Sequence, residues 1–358
     1  MKTANDRVID ELFQKAISLL KNLISTPSFS KEEEETCKLI RLFFESEKIP
    51  ATVVGNNVFA QNKYFDSAKP TLLLNSHHDT VRPNSHYTVD PFEPKQESGK
   101  LFGLGSNDAG GALVSLMATF IYFYPQQNLK YNIVFVASAE EEISGTNGIE
   151  LVWSHLPKID MAIVGEPTQM EVAIAEKGLL VIDCVSSGIA AHAANAVGEN
   201  AIYKAIKDIE WIQTYQFPKE SPLLGKIKMS VTIINAGKAH NQIPATCMFT
   251  IDVRVTEVYS LEEVFEIIKN NISSSVKARS FRLKSSTIDI THPLAVGAKG
   301  IGKKLFGSPT TSDQALMSIP SIKMGPGDSA RSHSSDEFIY LQEVKSGIED
   351  YISLLQRL

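Results

Sequence analysis

Cysteine is scarce: three stand in 358 residues, Cys37, Cys184 and Cys247. An odd number at such wide spacing argues against a disulfide scaffold and fits a reducing cytoplasm. Long apolar runs are also missing. The longest candidate, Ala112 to Tyr124, falls short of the roughly 18 residues a membrane span needs and reads as a buried helix. The first residues, Met1 to Arg7, lack the apolar stretch of a signal peptide. There is no basic block. Lys plus Arg is 35 and Asp plus Glu is 41, a formal net charge of −6, so nucleic acid and anionic membranes are not expected partners. No Gly-x-Ser-x-Gly, Cys-x-x-Cys or His-Glu-x-x-His motif occurs, nor any internal repeat. Gly325-Pro-Gly-Asp-Ser-Ala330 matches a loose dinucleotide pattern, but it comes late and outside an early βαβ unit.

What remains is an ordinary globular composition, 43% hydrophobic and 21% charged, in a chain long enough for two domains. Val8, Ile9, Leu12, Phe13, Ala16, Leu19, Leu20 and Leu23 recur at helical spacing, and Pro27 closes that helix. Ser30 and Glu33 form a capping-box pattern for a second helix, with the acidic run Glu32 to Glu35 as its solvated first turn. Short apolar runs at Thr71–Leu74, Asn132–Ala137 and Met161–Val164 alternate with helices such as Ala109 to Tyr124. That rhythm indicates a mostly parallel sheet covered on both faces. From about Lys177 the order becomes β-α-β-β-α-β: Leu179–Val185, Asn200–Thr214, Lys228–Asn235, Thr246–Val255, Leu261–Ile272 and Ser280–Leu283. This is a ferredoxin-like unit inserted in an α/β domain. The expected division is 1–176 with 289–358 as one domain and 177–288 as the other. A terminal helix runs from Leu341 to Leu355.

Five places put acids or histidines at the end of an apolar strand or in the loop after one. They are Asn75-Ser-His77-His78-Asp79, Gly103-Leu-Gly-Ser-Asn-Asp108, Ala139-Glu140-Glu141-Glu142, Gly165-Glu166 and the loop Gly325 to His333. In an open α/β sheet such ends converge on one site. Each place alone has an ordinary structural reading. Together, several acids would repel unless a cation neutralised them. Imidazole and carboxylate donors without thiolate suit zinc, cobalt or manganese, and a shared carboxylate can bridge two ions.

With these motifs the sequence resembles the co-catalytic zinc amidohydrolases that include aminoacylase, acetylornithine deacetylase, succinyl-diaminopimelate desuccinylase and glutamate carboxypeptidase. The resemblance runs over essentially the whole chain. It implies two divalent metals held by His77, Asp108, Glu142, Glu166 and His333, with Asp108 bridging. It implies that Asp79 orients His77, that Glu141 is the general base, and that Asp336 and Glu337 close the His333 motif. The inserted domain resembles the family's lid: Gly188-Ile-Ala-Ala-His192, Asn241-Gln-Ile-Pro244 and Asp252-Val-Arg254 match its motifs. By that resemblance His192 and Asn241 bind the tetrahedral intermediate, Arg254 grips a substrate carboxylate, and the lid pairs two chains in a homodimer. The implied reaction is hydrolysis of the amide of a small N-acyl amino acid.

His77-His-Asp-Thr-Val81, Asp90-Pro-Phe92 and Gly165-Glu-Pro-Thr168 look most like the acetylornithine deacetylases of arginine biosynthesis. N-succinyl-ornithine, N-succinyl-diaminopimelate, N-acetylcitrulline and dipeptide-like substrates are the alternatives. A catalytically dead binding relative is the reading from another class. It would show loss of Glu141 or of a ligand, and none is lost. The chain departs from the common family pattern at Leu104, Ala109 and Arg82.

Overall fold

The computed structural model describes residues 4–195 and 197–358, with the side chains of residues 4 and 5 excepted. The chain divides into two compact units: Met1–Ile174 with Ile288–Phe306 and Ser312–Leu358, and Ala175–Thr287 with Gly307–Thr311.

The first unit is built on a twisted sheet. Its spatial order is Thr52–Val54, Asn57–Gln61, Asn132–Ser138, Thr71–His77, Met161–Val164, Ser321–Lys323, then Val172–Glu176, along which the chain passes to the second unit. The middle four strands are parallel and the flanking ones antiparallel. Thr71–His77 and Asn132–Ser138 are buried along their whole length, as expected of strands covered on both faces. One cluster packs Leu72, Leu74, Ile133 and Phe135 under the helices Ala4–Ile24, Gly111–Phe123 and Leu341–Leu355. Another buries Leu73, Val134, Val136 and Val164 against Ile149 and Val152. The register sets His77 opposite Ser138, so the ends carrying the His77 and Glu141 loops lie side by side. A separate three-stranded sheet joins Lys95–Glu97, Lys100–Phe102 and Phe338–Tyr340.

In the second unit four antiparallel strands lie in the order Lys228–Ala236, Thr246–Val255, Gly178–Ser187, Ser275–Ala278. The helices Ala201–Thr214 and Leu261–Asn271 bury Ala205, Ile212, Val264 and Ile268 in the same core as Ile182, Phe249 and Ile251. This is the expected β-α-β-β-α-β order, with its outer strand at Ser275–Ala278 instead of Ser280–Leu283. The short Ser275-Val-Lys-Ala segment pairs with Gly178–Ser187 from Ile182 to Val185. Leu283 is used elsewhere: its carbonyl accepts the Leu179 N–H at 2.9 Å.

Two local expectations are corrected. The second helix spans Glu34–Ser46 and has no side-chain cap. The Ser30 hydroxyl donates instead to Asp79 Oδ2 at 2.7 Å. Glu33 is not solvated: it is buried and accepts from Lys31 N at 2.6 Å, Asn56 Nδ2 at 2.8 Å and Glu140 N at 3.2 Å. A sequence pattern shows which partners are near along the chain, and here partners distant in sequence take both side chains.

Candidate metal centre

The site forms at the carboxyl ends of the parallel strands of the first unit. His77 is the last residue of its strand. Its Nδ1 lies 3.0 Å from the Asp79 backbone carbonyl and 3.5 Å from Asp79 Oδ1. A carbonyl only accepts, so Nδ1 carries a hydrogen, which leaves Nε2 as the ring nitrogen that faces the site. Asp108 stands in a tight turn, Ser106–Gly110, ahead of the Gly111–Phe123 helix. That helix starts two residues later than its apolar pattern suggested. Gly105 has φ 74°, and a Cβ there would come within 2.6 Å of Thr80 Cγ2, so the turn needs glycine. Glu337 holds the turn from below. It accepts from Asn107 N at 2.8 Å, Asp108 N at 2.9 Å and Gly105 N at 3.1 Å. Burial, helped by the Asp108 charge, pushes Glu337 up to about 7 against these three donors.

The three consecutive glutamates do three different things. Glu140 has φ 55° and turns inward, accepting from Asn147 Nδ2 at 2.9 Å. Glu141 and Glu142 follow in a single 3-10 turn. Asp79 grips that turn: Oδ1 accepts the Glu141 N–H at 3.0 Å and Oδ2 the Glu142 N–H at 3.2 Å. One residue thus braces both sides, its carbonyl against the His77 ring and its carboxylate under the two glutamates. The sequence reading had given it only the first task.

His77 Nε2 lies 3.3 Å from Asp108 Oδ1 and 3.8 Å from both Glu141 Oε2 and Glu166 Oε1. His333 Nε2 lies 3.0 Å from Glu142 Oε2 and 3.7 Å from Asp108 Oδ2. Asp108 therefore points one oxygen at each imidazole, the disposition of a bridging ligand. Donor atoms of His77, Asp108 and Glu142 fall within 4.8 Å of one another, as do those of His77, Glu141 and Glu166. All five residues expected as ligands, and Glu141, are thus brought together. His192 and Asn241 lie on the second unit as neighbours: Ala191–His192 pairs with Gln242–Ile243, and both residues are exposed. Arg254, also on that unit, is already forked onto Asp252 at 2.8 and 3.0 Å and reaches Thr311 Oγ1 at 3.3 Å.

The electrostatics are those of an anion-crowded pocket. Burial raises Glu141 well above the usual carboxylate range, and Glu166, Asp313 and Glu142 add to it against the opposing charge of His77. Burial brings Glu166 up to about 8. Burial alone would lower His77, but Glu141, Asp108, Asp79 and Glu166 hold it well above its ordinary value. Hydrogen bonding to Glu142 lifts His333 to about 9. Two imidazoles and four carboxylates with no thiolate, the acids repelling one another in a part-buried site, fit divalent cations.

Sequence reasoning missed Asp313. It is buried, accepts from Ser138 Oγ at 2.5 Å, and is raised to about 6 chiefly by that burial. Nothing in Thr310-Thr-Ser-Asp313 distinguishes it from an ordinary polar loop. His78, read as structural, is buried with Thr36 Oγ1 and the Asn56 carbonyl each at 2.9 Å from a ring nitrogen.

The sequence profile of peptidase family M20/M25/M40 matches residues 73–357. The chain is 28% identical over 360 residues to an acetylornithine deacetylase of Proteus mirabilis, covering 90% of this chain and 91% of the relative. It is 27% identical over 368 residues to a [LysW]-lysine/[LysW]-ornithine hydrolase of Sulfurisphaera tokodaii, covering 100% and 97%. Its fold is similar to the crystal structure of a Bacillus subtilis protein described as a dinuclear metal binding peptidase of the M20 family, with TM-score 0.74, 18% identity and coverage of 97% and 98%. The chain belongs to peptidase family M20/M25/M40 and is a metal-dependent amidohydrolase.

Proposed function

We propose that the protein hydrolyses the amide of an N-acylated amino acid, with N-acetyl-ornithine as substrate and arginine biosynthesis as its setting. Ornithine is common to the names of both relatives, as the deacylated product of one and a hydrolase target of the other. The observation that carries the chemistry is Glu141, part-buried beside the ligand cluster and fixed through its own backbone to Asp79. His77, Asp108, Glu142, Glu166 and His333 would hold two divalent cations, of zinc, cobalt or manganese. When bound, such ions polarise the amide carbonyl and acidify a water molecule.

Glu141 Oε takes the proton of the attacking water and returns it to the departing amine. Asp79 holds His77 and Glu141 at fixed angles while this happens. His192 and Asn241 are proposed to donate to the oxyanion, and the N–H groups of Arg254 that neither Asp252 nor Thr311 takes up to receive the substrate carboxylate. The second unit supports a homodimer. Its outer strand Lys228–Ala236 exposes Ile233 and Ile234, and Tyr203, Ile206 and Met248 are also exposed. Among the described residues no helix is long and apolar enough to cross a membrane. All three cysteines are free, and the cytoplasm is the proposed compartment.

The test is cleavage by the metal-loaded protein of N-acetyl-ornithine, N-succinyl-ornithine, N-acetylcitrulline and N-succinyl-diaminopimelate, read as free amine. The highest kcat/KM is expected for N-acetyl-ornithine. A preference for a succinylated substrate would move the assignment to a desuccinylase.

A further inference from the structure

One buried carboxylate of the first unit has no part in the chemistry above. Asp313 opens the short turn Asp313–Leu316 and is 3% exposed. Its Oδ2 accepts from Ser138 Oγ at 2.5 Å. The Asn75 amide reaches Ser138 Oγ at 2.9 Å in one orientation, and in the other donates to Asp313 Oδ2 at 3.1 Å. Neither partner sits at random. Ser138 ends its strand opposite His77, and its carbonyl accepts the His78 N–H at 3.0 Å. Glu141 follows three residues later. Asn75 stands two residues before His77 on the adjoining strand. The Asp313 turn is itself anchored: Met317, just beyond it, is buried among Leu73, Val134 and Val136. Ser312 Oγ caps it by accepting from Gln314 N at 3.3 Å.

We propose that Asp313 is a positioning residue: through Ser138 and Asn75 it ties together the ends of the two strands that carry His77 and Glu141, and so sets where Glu141 meets the reacting amide. This rests on the reading of Glu141 as general base. A buried carboxylate is expensive to hold in an already anionic region, and a tether at this junction gives it a use. Misplacing a catalytic group by about 1 Å can cost on the order of a hundredfold in rate.

The tether can be separated from the charge. Asp313→Asn keeps the shape, and its carbonyl oxygen in the place of Oδ2 can still accept from the Ser138 hydroxyl and from the Asn75 amide. Alanine at 313 removes the tether, and Ser138→Ala removes a single hydroxyl from it. The experiment measures kcat, KM and bound metal for the full-length, metal-loaded wild type and the variants Asp313→Ala, Asp313→Asn, Ser138→Ala and Glu141→Gln, on an N-acyl amino acid that the wild type cleaves. Asp313→Ala and Ser138→Ala should lower kcat by about tenfold to a hundredfold, the range seen when an outer partner of a site is lost. KM should stay within about twofold, with both metals retained, and Asp313→Asn should recover most of the loss.

Wild-type kcat in Ser138→Ala would overturn the proposal, and this variant decides if Asp313→Ala does not fold. So would a parallel loss of metal and kcat, which indicates a general structural role, or an Asp313→Asn as impaired as Asp313→Ala, which indicates charge in place of tether. An active Glu141→Gln would overturn the reading of the base itself.

Discussion

The two histidines of the centre sit in opposite surroundings. The His77 side chain is 1% exposed and that of His333 is 54% exposed. His77 ends a buried central strand, with Asp79, Ser30 and the Glu141–Glu142 turn locked behind it. His333 has φ 56° in a loop held by rim contacts: Asn84 Nδ2 donates to its carbonyl at 3.4 Å, and Thr88 N to Asp336 at 2.7 Å. One half of the site is therefore set by the core before any ion arrives. The other must order an exposed side chain, which costs conformational entropy on binding. Two cations should bind with unequal strength, the tighter at His77.

Removing each histidine would break this comparison most sharply. His77→Ala should bind neither cation and lose at least about a thousandfold in turnover, since several kcal/mol of charge stabilisation goes with them. His333→Ala should keep about one metal per chain while also losing turnover. Elemental analysis after gel filtration checks both, and the reverse stoichiometry would invert the account. Next in size is Asp79→Asn, expected to cost about tenfold to a hundredfold in metal affinity or turnover. On the exposed side Asp336→Ala should cost less, under about tenfold, by the same measure.

Protonation sharpens the comparison further. In the metal-free protein, Glu166 near 8 and His333 near 9 both hold protons at neutral pH. Cations displace those protons, so metal addition at pH 7 should acidify a weakly buffered solution, and affinity should rise as pH rises toward 9. Unchanged pH on loading would contradict it. The smallest effect expected is Ser30→Ala, which removes one hydrogen bond to Asp79. About 1 kcal/mol of stability should be lost, a few degrees in thermal melting.

The same contrast governs what could be read from the sequence. The Thr71 and Asn132 strands are unmistakable apolar runs, so the strand ends and loops that carry His77, Asp79, Glu141 and Glu142 are legible in the sequence. The three-stranded sheet could not, because Lys95–Glu97 is short and polar. Ser30 and Glu33 match a capping box, yet both are bound by residues up to 107 positions away. Asp313 meets Ser138 across 175 positions, and no local pattern records that. Local signals locate an element and the loop at its end. They do not say which distant side chain braces that loop. On the second unit, His192 and Asn241 rest on motif resemblance, and the structure adds that they are neighbours.

The central claim is that Glu141 moves protons while its neighbours hold cations. Glu141→Gln, loaded with cobalt and assayed on N-acetyl-ornithine, tests it most directly. The account predicts two metals per chain, as in the wild type, with turnover down at least about a hundredfold. Near-normal turnover, or loss of metal along with activity, would contradict it.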